Sequence, residues 1–561
     1  MSFRSTIQTI SLFIFLLLLM ITVSSVFINL NTELFLRLDP VIVLGTSISG
    51  RTFSLAFIPA IIVLLLVPIM GRAFCGYICP MGTTIDGSDK LFDVHVRDQA
   101  ITGKLRRIKY YVLSFLIGSS LLGISLVFTV SPISLITRFY GLLIEPILAL
   151  LGHMVLSIVQ PLTERLTLNA LVYADLNAPR FATQFFILIF FVVIFASAKV
   201  SSRFWCRYIC PSGALMALLS KRPVYRRRVS DDCTNCGKCI SSCPMNAIKQ
   251  DAPEVTCHEE CIICKDCKGV CPVDAVSFSR EETGHTNEDQ VFLPARRELM
   301  IAGLAGFGTA AVNLTGLNSF YGKPGVGQIA SPGLIRPPGA VPEKDFLALC
   351  VRCGQCMIGC PTNGLQPIWT KAGFAGLFSP ALVPRRGACN HECNNCGVIC
   401  PTGAIRDLPI QERIWAKLGT AMILREKCLA WEHQKKCMVC DEVCPFGAVK
   451  FRYEPGNPVP VPEVSEDRCS GCGYCEHHCP VQNRSAIIVT PMGSLRIGKG
   501  SFREKGEQQG LKISLRHRED IEQPIIQGGN AAPGFEKNSK SDSIPNLKED
   551  NSKRLAPGFT E

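Results

Sequence analysis

The chain lacks the loops that would hold a nucleotide. It has no Gly-x4-Gly-Lys-Ser/Thr segment and no convincing Gly-x-Gly-x2-Gly turn, so pyridine nucleotide is an unexpected electron donor. No Cys-x2-Cys-His pair is present, which removes covalent haem. No output domain of a redox sensor is visible. Aromatic residues are 8% of the chain, and the net charge of +12 is not spread as a stripe with aromatics between, so nucleic acid is excluded as a partner. A disulfide scaffold fits poorly as well. The 29 cysteines are odd in number, sit in a chain of 561 residues and recur at fixed spacing.

That spacing is the strongest feature. Cys233, Cys236, Cys239 and Cys243-Pro244 form one run, and Cys261, Cys264, Cys267 and Cys271-Pro272 a second. This is the bacterial two-cluster pattern, in which three close cysteines bind one [4Fe–4S] cluster and the fourth binds its neighbour. It predicts one centre on Cys233, Cys236, Cys239 and Cys271 and another on Cys261, Cys264, Cys267 and Cys243. The proline after each last cysteine fixes φ, has no N–H to satisfy and turns the chain away. Cys257 is left over and reads as a spare thiol.

Four further runs come later in the chain: Cys350, Cys353, Cys356, Cys360; Cys389, Cys393, Cys396, Cys400; Cys428, Cys437, Cys440, Cys444; and Cys469, Cys472, Cys475, Cys479. The middle two are stretched at their first cysteine. That asymmetry suggests nested pairing, run one with four and two with three, with consecutive pairing as the alternative. Either way the total is about six clusters. His391, His477 and His478 lie inside runs that already have four thiols, and read as surface or potential-tuning groups.

The first 200 residues are rich in apolar runs. Ile10–Leu30, Phe53–Met70, Tyr111–Val130 and Phe181–Ala198 each approach the ~20 residues a membrane helix needs. Lys and Arg flank the second and fourth runs, which places both ends of the bundle in the cytoplasm by the positive-inside rule. A fifth stretch, Ile133–Val159, contains Arg138, Glu145, Pro146 and His153 and reads as re-entrant or interfacial. Glu145 and His153 are candidates for lining a quinol site, the alternative being that they sit among headgroups. Cys75-Gly-Tyr-Ile-Cys79-Pro80 comes after the second run and Cys206-Arg-Tyr-Ile-Cys210-Pro211 after the fourth. These matching motifs form an internal repeat whose four thiols could hold a metal or further cluster, be redox-active, or be structural.

Arg296-Arg297 ahead of the mildly apolar Ile301–Leu317 resembles a twin-arginine export signal. If it is uncut, the segment is a fifth crossing and the chain beyond residue 317 is periplasmic. A Pro/Gly linker covers 321–345, and the polar tail 499–561 is expected to be disordered.

On these motifs, residues 1–285 resemble NapH, through the four apolar runs, the paired Cys-x3-Cys-Pro motifs and the two-cluster ferredoxin. Residues 295–495 resemble NapG, through the twin arginine and four further runs. MauN and MauM are similar, as is the membrane half of NosR. The resemblance implies a multi-domain chain. Its parts are a four-helix transmembrane domain (1–224), a cytoplasmic α+β two-cluster ferredoxin (225–285), a signal or membrane segment (286–320), the linker, a four-cluster α+β module (346–498) and the tail. It further implies an inner-membrane menaquinol dehydrogenase that takes electrons from the quinol pool and passes them to a periplasmic reductase or its cytochrome subunits. A redox factor that assembles or maintains a periplasmic metalloenzyme is the alternative.

Overall fold

The computed structural model describes residues 3–24, 32–92, 105–165, 179–181, 183–280, 294–314, 333–369 and 371–516. Its architecture is a layer of apolar helices with a ferredoxin module at each end.

The helices start where the sequence supplies caps. Asp39 accepts from the Val41 N–H at 3.1 Å to open Pro40–Gly50, and Ser131 opens Pro132–Arg138. Proline stands at the first position in both, where its missing N–H costs nothing. Pro132–Ile158 runs as one helical segment of 27 residues, with a π turn at Phe139–Ile144. By length and composition this segment could cross a membrane, which the expectation of a re-entrant or interfacial stretch does not anticipate. Arg138 is accommodated inside the protein, where it donates to the Phe128 carbonyl.

The expectation of four membrane-length helices also needs correction. Only Phe3–Thr22 and Pro132–Ile158 are long and apolar enough to cross a membrane among the described residues, whereas Leu55–Met70, Ile108–Leu121 and Gln184–Lys199 are shorter. Glycine follows the C-terminal end of two of these helices. Gly71 at φ +56° ends one helix after Met70, and Gly123 at φ +81° comes just past the end of another. Such backbone is cheap for glycine and unfavourable for other residues. Pro40–Gly50, a largely buried helix, has no counterpart in the apolar-run count.

Helix Arg296–Leu314 packs along Ile108–Leu121 through glycine. A Cβ on Gly118 would stand 2.0 Å from the Gly303 carbonyl oxygen, and one on Gly306 2.0 Å from that of Phe115. Only residues without side chains permit backbones this close.

The helix Phe3–Ser24 shows contacts at both ends. Arg4 donates to Asp266 of the first module at 2.7 Å. Near the other end of the same helix, Thr22 lies against Gly359 of the second module. The 22 residues of Phe3–Ser24 measure about 33 Å at the usual helical rise. Ser202 Oγ donates to the Pro244 carbonyl at the first module. Ser49 Oγ donates to Ala348, Ser134 Oγ to Val351, and Arg352 to the Ser125 carbonyl at the second.

The ferredoxin units share one plan, repeated three times. In the first, β1 (Arg226–Val229) enters the first cysteine run and pairs antiparallel with β2 (Val276–Ser279), which leaves the second; Ile248 bridges Thr256 between the runs. In the next unit the outer bridge is Ala340 with Ile405, and the inner pair is β3 (Leu365–Pro367) with β4 (Pro380–Leu382). In the last, β5 (Thr420–Ile423) pairs with β8 (Ile487–Thr490), and β6 (Val449–Arg452) with β7 (Val461–Val464).

The module borders differ from the expected ones. Leu334, Ile335 and Arg336 are buried, so the second module begins inside the expected linker. It continues through residue 516. Phe502 is fully buried against Leu408, Ala416 and Leu495, and Arg516 pairs with Asp441 at 2.9 Å. The remainder of the expected tail, 517–561, lies outside the described residues, as does the linker stretch 321–332.

Candidate cluster sites

The four cysteine runs with regular spacing share a backbone device. The residue before the second cysteine and the residue after it both have positive φ: Asn235 and Gly237, Ile263 and Lys265, Arg352 and Gly354, Gly471 and Gly473. Successive turns of this hand point backbone N–H groups into a concavity suited to an anionic ligand. A left-handed residue also comes after each Cys-Pro: Asn246, Asp274, Asn363, Gly403, Gly447 and Asn483. Asn, Asp and Gly are the residues that tolerate it. Five of the six runs carry Cys-Pro-x-Asn/Asp/Gly, a sequence signal for this turn that the cysteine spacing alone does not contain; in the last run the turn falls one residue later.

These turns fold the runs into quartets. Cys233, Cys236, Cys239 and Cys271 line one cavity, and Cys243, Cys261, Cys264 and Cys267 another. Cys444 joins Cys469, Cys472 and Cys475, while Cys479 joins Cys428, Cys437 and Cys440. Cys400 stands close enough to Cys350, Cys353 and Cys356 for their charges to interact, and Cys360 likewise to Cys389, Cys393 and Cys396. Pairing is therefore consecutive, one with two and three with four. The nested arrangement does not occur, because the strands around each pair of runs close each unit before the next begins.

The quartets suit a cubane cluster in chemistry as well as number. Burial pushes the Cys267 thiol to about 11 and those of Cys353 and Cys472 to about 12. Thiolates there need a cationic core beside them. Backbone N–H groups donate to sulfur at Cys243 (from Ala247, 3.4 Å), Cys400 (from Ile405, 3.5 Å), Cys444 (from Ala448, 3.4 Å) and Cys469 (from Ala421, 3.4 Å). Hydrogen bonds of this kind stabilise the reduced cluster.

The quartets lie in a spatial sequence. Arg227 lines both cavities of the first module. In the second, the Cys389 N–H donates to the Cys472 carbonyl at 2.8 Å and joins the two units.

Between the modules stands the repeated Cys-x3-Cys-Pro site. Cys79, Cys206 and Cys210 are buried, and the Cys75 sulfur lies 3.6 Å from that of Met216. Tyr77 Oη donates to the Ile263 carbonyl at 2.9 Å, and a Cβ on Gly76 would stand 2.6 Å from the Ile262 carbonyl, so the motif rests on the Cys243 quartet. On its far side Ser212 and Ser131 donate to the two oxygens of the buried Asp39, and Ser134 reaches the Val351 carbonyl, between Cys350 and Cys353.

Glu145 and His153 are not brought together. Glu145 Oε2 is buried without a hydrogen-bond partner among the described residues, whereas His153 is exposed eight positions along the same helix. That separation is about 12 Å of helical rise. Cys257 is buried and lines none of the quartet cavities. His391 stands edge-on to Phe446 and Tyr474, and His478 stacks on Tyr474.

A family model described as a 4Fe-4S binding domain matches residues 41–97, 183–230 and 396–417, so its first two matches contain the two Cys-x3-Cys-Pro motifs. A second 4Fe-4S binding domain model matches 228–249, and a 4Fe-4S dicluster domain model matches 435–483. The methylamine utilization ferredoxin-type protein MauM of Methylorubrum extorquens is 36% identical over 206 residues, 35% of this chain and 90% of its own length. MauM of Paracoccus denitrificans is 38% identical over 210 residues, 35% of this chain and 84% of its own. The ferredoxin-type protein NapG of Escherichia coli is 35% identical over 183 residues, 31% of this chain and 76% of its own.

Proposed function

Since this chain belongs to the ferredoxin-type MauM/NapG family and is an electron-transfer protein with multiple [4Fe–4S] clusters, we propose that it carries electrons from a membrane quinol pool to a periplasmic reductase. In this reading a NapH-like membrane half and a NapG-like half are fused in one polypeptide. The helical layer spans a bacterial inner membrane, with the first module in the cytoplasm and the second in the periplasm. The donor is menaquinol, and the acceptor is a reductase or its cytochrome subunits.

The observation that carries the proposal is the placement of the modules. One helix touches the first module at Arg4 and the second near Thr22, so the layer between them is about as thick as a bilayer's hydrocarbon. Apolar side chains face outward along it, among them Phe13, Leu65, Ile158, Phe185 and Val193. An exposed apolar surface of this extent suits lipid.

The six quartets are assigned one cluster each. When bound, a cluster would accept one electron and pass it on with little rearrangement. The protein supplies thiolates in a shaped cavity, N–H donors to the sulfurs, and an order in which neighbouring quartets adjoin. The four thiols of Cys75, Cys79, Cys206 and Cys210 lie between the modules.

The test is reduction of the anaerobically purified full chain by reduced menaquinone analogues. Bleaching of the cluster absorbance is expected, with about four irons per quartet. Absorbance that dithionite bleaches and the quinol analogues leave unchanged would remove the quinol donor.

A further inference from the structure

Arg413 makes a contact unlike the backbone ones. Its Nη2 donates to the Cys389 sulfur at 2.8 Å, and the side chain is buried. The donors at Cys243, Cys400, Cys444 and Cys469 are neutral backbone groups at 3.4–3.5 Å. Among the described residues Arg227 also places its guanidinium on a cysteine sulfur, that of Cys239, at 3.5 Å, and is committed as well to the Pro253 carbonyl and the Thr256 hydroxyl. The surroundings at Cys389 are apolar, with Ile414, Trp415, Phe446 and Tyr474 packed about the seam to Cys472. A charge-assisted hydrogen bond is stronger than a neutral one, and a dry setting strengthens it further.

Reduction adds one negative charge to a cluster and its thiolates. A fixed cation bonded to one of those sulfurs stabilises the reduced form more than the oxidised form. We propose that Arg413 is a potential-setting residue, which makes the centre on Cys389, Cys393, Cys396 and Cys360 the first in the second module to accept an electron. The inference rests on the assignment of a cluster to that quartet. Because Cys389 also adjoins Cys472, the electron would wait at the seam between the two ferredoxin units.

The experiment is a potentiometric titration of the full chain, monitored by electron paramagnetic resonance, with dithionite as reductant. In the parent, the first signal of the second module to appear should be the one that Cys389→Ser removes. In Arg413→Gln that signal should need at least a tenfold larger reducing ratio, about 59 mV for a one-electron centre, with iron content unchanged. Should the glutamine variant fail to assemble the centre, Arg413→Met decides by the same criterion. An unchanged midpoint with every centre in place overturns the role of Arg413. Cys389→Ser with full iron and every signal retained overturns the cluster assignment instead.

Discussion

Arg72 and Arg203 each precede a Cys-x3-Cys-Pro motif by three residues, and each reaches into the other's copy. Arg72 Nη2 donates to the Cys206 carbonyl at 3.5 Å, and Arg203 Nη1 to the Cys75 carbonyl at 3.3 Å. Their charges are balanced separately, Arg72 by Glu260 and Arg203 by Asp86. Two copies of one sequence element are therefore cross-braced into a single pseudo-symmetric unit. Gly213 and Gly82 stand where a side chain would meet the crossing arginine; a Cβ on Gly213 would lie 2.6 Å from Arg72 Nη2.

Breaking one brace should be costly. Arg203→Ala removes the fork on Asp86 and the bond to the Cys75 carbonyl but leaves Asp86 paired with Arg4 and Gln8, a loss of about 1–3 kcal/mol. Arg203→Lys keeps the charge but not the fork, and should lose less. Thermal unfolding of the detergent-solubilised protein measures both, and equal melting temperatures for parent and Arg203→Ala would contradict the bracing role.

Cluster pairing gives a second prediction. Cys479→Ser should extinguish the same spectroscopic signal as Cys437→Ser, because both line one cavity with Cys428 and Cys440. Cys400→Ser should match Cys353→Ser. A match between Cys479→Ser and Cys353→Ser would restore the nested arrangement.

How much of the molecule is legible in its sequence depends on the range of each interaction. Cluster runs are local, since the three thiols that reach one centre fall within seven residues in four runs and within eight and thirteen in the two stretched ones, and so they are legible. Pairing between runs depends on strands tens of residues apart, such as Thr420 against Thr490, and stretched spacing carries no information about it. The apolar run Tyr111–Val130 overestimates its helix, which stops at Leu121, because hydropathy does not register the positive φ of Gly123. Residues 499–516 look like a polar tail because Phe502 is one aromatic among charges, and only its distant partners Leu408 and Leu495 reveal a core position. Arg413 has no local signal either, since it is 24 residues from the sulfur it bonds.

The helix Arg296–Leu314 should remain in the mature protein. Its backbone is seated against Ile108–Leu121 at Gly303 and Gly306, Ser114 Oγ donates to the Leu299 carbonyl at 2.7 Å, and Ala310 is fully buried. A cleaved signal would leave that face of Ile108–Leu121 uncovered. The mass of the isolated protein should match one uninterrupted chain through this segment. Gly303→Leu should separate the helices and reduce the yield of assembled protein. Recovery of two fragments divided near residue 317 would refute retention.

Acid should release the first module from the helices through Glu260. Burial alone would raise this carboxyl, but Lys109 and Arg72 on either side hold it below the usual carboxylate range. Its folded pKa is thus below its unfolded one. The stabilisation is complete above the unfolded value of about 4.5 and is lost as pH falls through the folded value. Hydrogen exchange of the segment around His258–Glu260 should stay slow from neutral pH down to the ordinary carboxylate range and accelerate below it. Glu260→Gln removes that titration and leaves two buried cations without their counter-charge, so exchange should already be fast at pH 7, a loss of about 3–5 kcal/mol. If parent and variant exchange alike at pH 7 and share one acid limb, Glu260 does not hold the module in place.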